Sequence, residues 1–216
     1  MPAQATQMKH ESTMPLNSPA SPQMRVIPDQ SSRFYFVRHG ATEPNVLGLR
    51  CGGDLDLPLT ELGREQARMT AERIRAMNID VGLILCSALR RTRLHADIVS
   101  EALGGVPIVI DPLLAERRMG EWNLRSVAIT ERLLVQGMAP PGGETEQAFV
   151  TRVSAAFERL PTLLPLNLLV VSSKAVARVL NLRLGGSGRL TLENGEMMRF
   201  TMQASALPIA NERITT

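Results

Sequence analysis

Aromatic residues are scarce in this chain, with one Trp, one Tyr and five Phe among 216 residues. Single-stranded nucleic acids are held on platforms of stacked rings, so this small set argues against that class of ligand. Charge of one sign is scarce as well: 24 Lys and Arg stand against 21 Asp and Glu, a net +3, and the arginines are scattered rather than run together. No basic footprint for a nucleic-acid backbone results, whereas a pocket for a small anion remains open. Only two cysteines are present, Cys51 and Cys86. They make neither a CxxC pair nor a disulfide framework, and Cys86 in the run VGLILCS reads as a small buried hydrophobe. No run approaches the roughly 20 apolar residues that span a bilayer, and the N-terminus lacks the basic start and apolar stretch of a secretory leader. The expectation is a cytoplasmic protein that uses neither membrane nor nucleic acid.

Hydrophobic residues make up 44% and charged residues 21%, an ordinary globular mixture, and the length suits one good-sized domain. Residues 1–30 differ from the rest: Pro2, Pro15, Pro19, Pro22 and Pro28 lie among Ser, Gln, Thr and Asn. This composition predicts an irregular arm ahead of a domain over 31–216. The arm's Lys9 and Arg25 are balanced by Glu11 and Asp29, so it is not an electrostatic tail.

Within the domain, apolar runs alternate with helical periodicity. SRFYFV and VGLILCS read as buried strands, VPIVI and NLLVVS as further strands, with NGEMMRFTMQ as a final one. LTELGREQARMTAERIRAM places Leu62, Ala67, Ala71, Ile74 and Met77 at helical spacing behind Thr60 as N-cap, and ALRRTRLHADIVSEAL, TEQAFVTRVSAAFERL and KAVARVLNLRL are further helices. A shorter helix is expected around VAITERLLVQG. The alternation predicts an α/β protein, a three-layer α/β/α sandwich with a mainly parallel central sheet. Ligands of such sheets bind beyond the carboxyl ends of the strands, and His39, Ser87 and Ser173 all fall at such ends.

Arg38-His39-Gly40 closes the first strand. A guanidinium fork suits phosphate or carboxylate oxygens, a neutral imidazole can attack phosphorus, and Gly40 lets the chain turn tightly beside a ligand. The longer stretch FVRHGATEPN, followed by DLDLPLTELGREQA, resembles the opening signature of the histidine phosphatase superfamily, the phosphoglycerate mutase-like proteins. CSALRRTRLHA, LLAERRMGEW and PPGGET resemble that family's later segments, in the expected order. The resemblance implies that His39 is the nucleophile that takes up the phosphoryl group, that Arg38 and Arg91 clamp its oxygens, and that Glu116 exchanges a proton with the leaving group and with water. Asn45 would assist at the phosphate. The implied ligand is inorganic phosphate or a small phosphorylated molecule, with neither metal nor other cofactor. His95, mid-helix and matched to none of the family's motif residues, reads as structural or surface, and a homo-oligomer is left open.

One segment departs from the pattern. The family's second histidine is expected after the fourth strand in a segment like VSHGG, and VVSSKAVAR sets Ser173 on that histidine with Lys174 and Ala175 on the glycines. A hydroxyl is shorter and uncharged. Lys174 either restores a positive charge to the pocket or points to solvent as the first helical residue. Ala41 after RHG and Asn123-Leu124 after Trp122 also depart from the common residues, at positions that shape the rim. Glu116 and Ser173 are separated by 57 positions, shorter than the interval in the cofactor-dependent mutases. Two functions follow: a phosphomonoester hydrolase with reduced activity, or a degenerate descendant that binds phosphate, a phosphorylated ligand or a protein partner.

Overall fold

The structure, a computed structural model, describes residues 33–187, 190–202 and 212–214, so the Pro-rich arm lies outside the described residues. Six strands form one sheet: β1 (Arg33–Arg38), β2 (Leu83–Cys86), β3 (Ile108–Ile110), β4 (Leu168–Ser172), β5 (Met197–Thr201) and β6 (Glu212–Ile214), in the order β3-β2-β4-β1-β5-β6. The first four run parallel to one another, while β5 pairs antiparallel with β1 and β6 antiparallel with β5. The mainly parallel α/β architecture expected from the apolar runs is therefore the one observed. The helices are α1 (Glu43–Val46), α2 (Glu61–Ala76), α3 (Arg90–Ala102), α4 (Val127–Val135), α5 (Glu146–Phe157), α6 (Leu160–Leu163) and α7 (Lys174–Arg183), with short 3-10 turns over 112–114, 120–122 and 164–166.

Both faces of the sheet are covered, which is why β2 is apolar at every position and β4 at all but the last, Ser172, rather than at every second one. The pleat sends alternate residues to opposite layers. Phe34, Phe36, Leu85, Leu168 and Val170 meet α5 and α7 through Phe149, Val153, Val176 and Leu180, while Val37, Ile84, Cys86, Leu169 and Val171 meet α2 and α3 through Ala71, Ile74, Ala96 and Val99. Cys86 is thus part of the core, its thiol pushed up to about 11 by burial.

Thr60 caps α2 by accepting from the Gly63 N–H at 3.1 Å, and Thr145 caps α5 through the Ala148 N–H at 3.1 Å. The last expected strand begins later than NGEMMRFTMQ suggests, because Asn194 and Gly195 form a turn with Gly195 at φ +78°. β6 and the one-turn helix α1 were not anticipated, being too short to carry a period. Among the described residues no helix is long and apolar enough to cross a membrane.

Candidate active site

The site lies where β1 and β4, neighbours in the sheet, end side by side. Arg38 pairs with Ser172, and the His39 N–H donates to the Ser172 carbonyl at 2.9 Å, so Ser173 follows level with His39. The chain then turns at Gly40. A Cβ there would collide with the Gly63 carbonyl, and one on Gly63 would collide with the Ala41 carbonyl. The glycines of RHG and LTELG are two halves of one backbone contact that brings the first turn of α2 against the loop after β1.

His39 is buried, with only 4% of its surface exposed. Its Nδ1 lies 2.8 Å from the Gly40 carbonyl oxygen, which can only accept, so Nδ1 carries the hydrogen and Nε2 keeps its lone pair. Burial first, then the positive charges of Arg91 and Arg38, push the imidazole well below its ordinary pKa, against the opposing effect of the Gly40 bond. At neutral pH it is an uncharged base with one nitrogen available.

Arg91, in the first turn of α3, is fully buried. Nη1 donates to the Leu55 carbonyl at 2.9 Å and Nη2 to the Gly52 carbonyl at 3.2 Å, while Nε has no partner. No carboxylate among the described residues forms an ion pair with it. Taking a cation out of water without a counter-ion costs several kcal/mol, so this guanidinium is set for an anion. Arg38, half-buried, donates from Nη1 to the Leu192 carbonyl at 2.7 Å. Burial lowers its pKa, with Glu116, Glu193 and Glu196 opposing and Arg91 adding to the shift, so these five charges act on one another.

Asn45 uses only its Oδ1: it accepts from the Thr42 N–H at 3.1 Å, the Thr42 hydroxyl at 3.0 Å and Asn194 Nδ2 at 3.3 Å. Its Nδ2 remains a donor. Ser173 is the N-cap of α7, 1% exposed, and its Oγ has no hydrogen-bond partner. Lys174 is exposed as the first residue of that helix. The hydroxyl and the unpaired N–H groups at the start of α7 are the donors at the end of β4. Ser87, the remaining strand-end residue, is taken up locally by Thr92, with 2.7 Å between the hydroxyls.

Glu116 is half-buried, its Oε1 accepting from the Arg117 N–H at 2.8 Å. A staple that sequence reasoning missed fixes its loop: Arg152 donates to the carbonyls of Leu113 (2.8 Å), Ala115 (3.0 Å) and Glu116 (3.3 Å) and pairs with Glu144 at 2.8 Å. Glu144 also accepts from the Arg118 N–H at 3.2 Å. Burial raises its pKa, yet the Arg152 bond and the Arg118 N–H together outweigh that and lower it. Asp54 is a second staple, accepting from the N–H groups of Met119 (2.9 Å) and Gly120 (2.7 Å) and from Asn123 Nδ2 (2.8 Å). The GGET segment contains Glu144, but nothing in the sequence pairs it with Arg152 inside α5.

The family model of the histidine phosphatase superfamily, branch 1, matches residues 34–208. This chain belongs to the histidine phosphatase superfamily. It is 35% identical over 182 residues to the adenosylcobalamin/alpha-ribazole phosphatase of Salmonella typhimurium, a match covering 79% of this chain and 86% of that one. It is 40% identical over 134 residues to a probable phosphoglycerate mutase of an Enterobacter species, covering 57% of this chain and 60% of that relative. Among solved structures, the alpha-ribazole phosphatase of Shigella flexneri superposes with a TM-score of 0.69 at 26% identity, over 80% of this chain and 91% of that one. A mycobacterial glucosyl-3-phosphoglycerate phosphatase in complex with VO3 superposes with a TM-score of 0.70 at 25% identity, over 86% and 98%. Within the histidine phosphatase fold, then, this chain has Arg38, His39, Arg91 and Glu116 at one end of the sheet.

Proposed function

We propose that this histidine phosphatase superfamily member hydrolyses phosphomonoesters of small molecules through a phosphohistidine at His39, with Ser173 in the place of the second histidine and a correspondingly reduced rate. The observation that carries the reading is the fully buried, counter-ion-free Arg91 beside a neutral His39 whose Nε2 keeps its lone pair. In the first step Nε2 attacks phosphorus, the P–O bond to the leaving group breaks, and Glu116 in its acid form gives its proton to the departing oxygen. In the second, water attacks the phosphohistidine, the Glu116 carboxylate takes the proton, the P–N bond breaks and phosphate departs. Arg38 and Arg91 balance charge on the nonbridging oxygens, which is where it spreads during phosphoryl transfer.

Ser173 Oγ, buried and without a partner, supplies one neutral donor to those oxygens. The difference between a charge-assisted and a neutral hydrogen bond is about 1 kcal/mol or somewhat more, and each 1.36 kcal/mol is tenfold in rate. The lost cation also favours a second reading, a degenerate phosphatase that binds phosphate or a phosphorylated ligand without turnover. Mutase activity is disfavoured by the short interval between Glu116 and Ser173.

A panel of p-nitrophenyl phosphate, alpha-ribazole phosphate and phosphorylated sugars, assayed for released phosphate, separates these readings. Turnover in the native chain that vanishes in His39→Ala and rises in Ser173→His is the expected result. No turnover in the native chain with phosphate binding retained would overturn hydrolysis and leave the degenerate reading. Phosphoryl exchange between substrate hydroxyls without free phosphate would identify a mutase.

A further inference from the structure

His95 lies in the middle of α3, fully buried, in a helix that otherwise presents Arg91 to the site. Its Nδ1 accepts the N–H of Gly40 at 3.1 Å, so the hydrogen of the neutral ring sits on Nε2, which is buried without a partner. An orphaned buried donor is unfavourable, and a purely space-filling residue would not leave one. The bond it makes goes to the residue that orients His39.

The surroundings explain what that bond does. The peptide joining His39 to Gly40 is held from both sides: its N–H by His95 Nδ1, and its carbonyl by Asn194 Nδ2 at 2.9 Å. The next peptide is held likewise: its carbonyl accepts from His39 Nδ1 at 2.8 Å, and its N–H donates to Gln66 Oε1 at 2.7 Å. Three separate parts of the chain, α2, α3 and the turn before β5, thus fix two consecutive peptide planes. The second plane carries the carbonyl that determines which nitrogen of His39 is protonated.

We propose that His95 is a positioning residue for the nucleophile: by accepting the Gly40 N–H it locks the loop after β1 so that the Gly40 carbonyl meets His39 Nδ1 and leaves Nε2 free to attack. Burial keeps the ring uncharged, with a pKa lowered to about 3, so Nδ1 remains an acceptor throughout the neutral range. An Asn at this position offers Oδ1 as the acceptor in place of Nδ1, whereas Phe keeps the ring's bulk and offers no acceptor. The proposal rests on His39 being the nucleophile, and its test has a readout that does not need turnover.

Native protein, His95→Phe and His95→Asn are labelled with 15N-histidine, and the ring nitrogens of His39 are recorded by NMR at neutral pH beside steady-state kinetics with p-nitrophenyl phosphate. The expected spectra show His39 with Nδ1 protonated in the native protein and in His95→Asn, and a mixture of tautomers in His95→Phe. In the kinetics, kcat falls about tenfold to a hundredfold in His95→Phe with KM little changed, as for a misaligned reacting group, and His95→Asn restores most of it. Unaltered His39 signals in His95→Phe, or an Asn variant no better than Phe, would overturn the proposal. If the native chain turns over no phosphoester, the hydrolase reading fails while the tautomer signals still decide this one. If His95→Phe does not fold, His95→Leu carries the same test.

Discussion

The bond from His39 Nδ1 to the Gly40 carbonyl decides what this imidazole can do, because it fixes the tautomer, and burial beside two arginines keeps the ring neutral. The acid limb of kcat/KM is therefore expected well below pH 6.5 as far as His39 is concerned, and a pH profile from 4 to 8 checks it. A limb at 6.5 would mean that His39 is solvated in the working enzyme. Arg91 acts at the same scale. Arg91→Met is expected to lower kcat/KM by about a hundredfold to a thousandfold, the loss typical of one preorganised donor at developing negative charge. Its Tm in phosphate-free buffer changes little, because the buried cation disappears together with its bonds to the Leu55 and Gly52 carbonyls.

At the scale of elements, the loop that carries Glu116 has no secondary structure of its own and depends on α5 for its shape. Removing one partner of a buried ion pair strands the other, so Arg152→Met is expected to cost about 3 kcal/mol in urea unfolding and to blur the Glu116 step. Replacing both Arg152 and Glu144 by Met costs less than the sum of the two single changes. Because the Glu144 pKa is lowered in the folded state, its contribution is complete above its ordinary carboxyl range and is lost as the pH falls through the folded value. Most elements were legible in the sequence since their signals are local: buried strands as unbroken apolar runs, α2 by its N-cap and period. RHG was legible for the same reason, as side-chain types at a strand end, whereas Arg91 in RRTR and Glu116 in AERR were singled out by the resemblance of their segments to the family. Arg152 and His95 were not, because each is an ordinary mid-helix residue, and the carbonyls of Leu113, Ala115 and Glu116 that Arg152 holds and the Gly40 N–H that His95 holds are far away in the chain. His95 meets Gly40 from 55 residues away, and no pattern within α3 announces it.

For the whole molecule, acid sensitivity has two buried histidines as a distinct source. Both have lowered folded-state pKa values, so neither affects stability above pH 6.5, and each subtracts stability as the pH falls from there, His95 down to about 3. The loss is about 1.4 kcal/mol per pH unit for each ring while only the unfolded chain is protonated. Urea titrations between pH 7 and 5 are expected to show a slope approaching two protons in the native chain and about one in His95→Phe. Identical slopes would mean that the interior admits a charged His95.

The uncompensated guanidinium of Arg91 has a kinetic side as well. If the site hydrolyses phosphoesters, its own product is the anion that relieves the buried charge, and each departure of phosphate restores an unfavourable state. Release is then slowed relative to a site whose cation is already paired: free phosphate is expected to inhibit competitively, and more weakly in Arg91→Met than in the native chain.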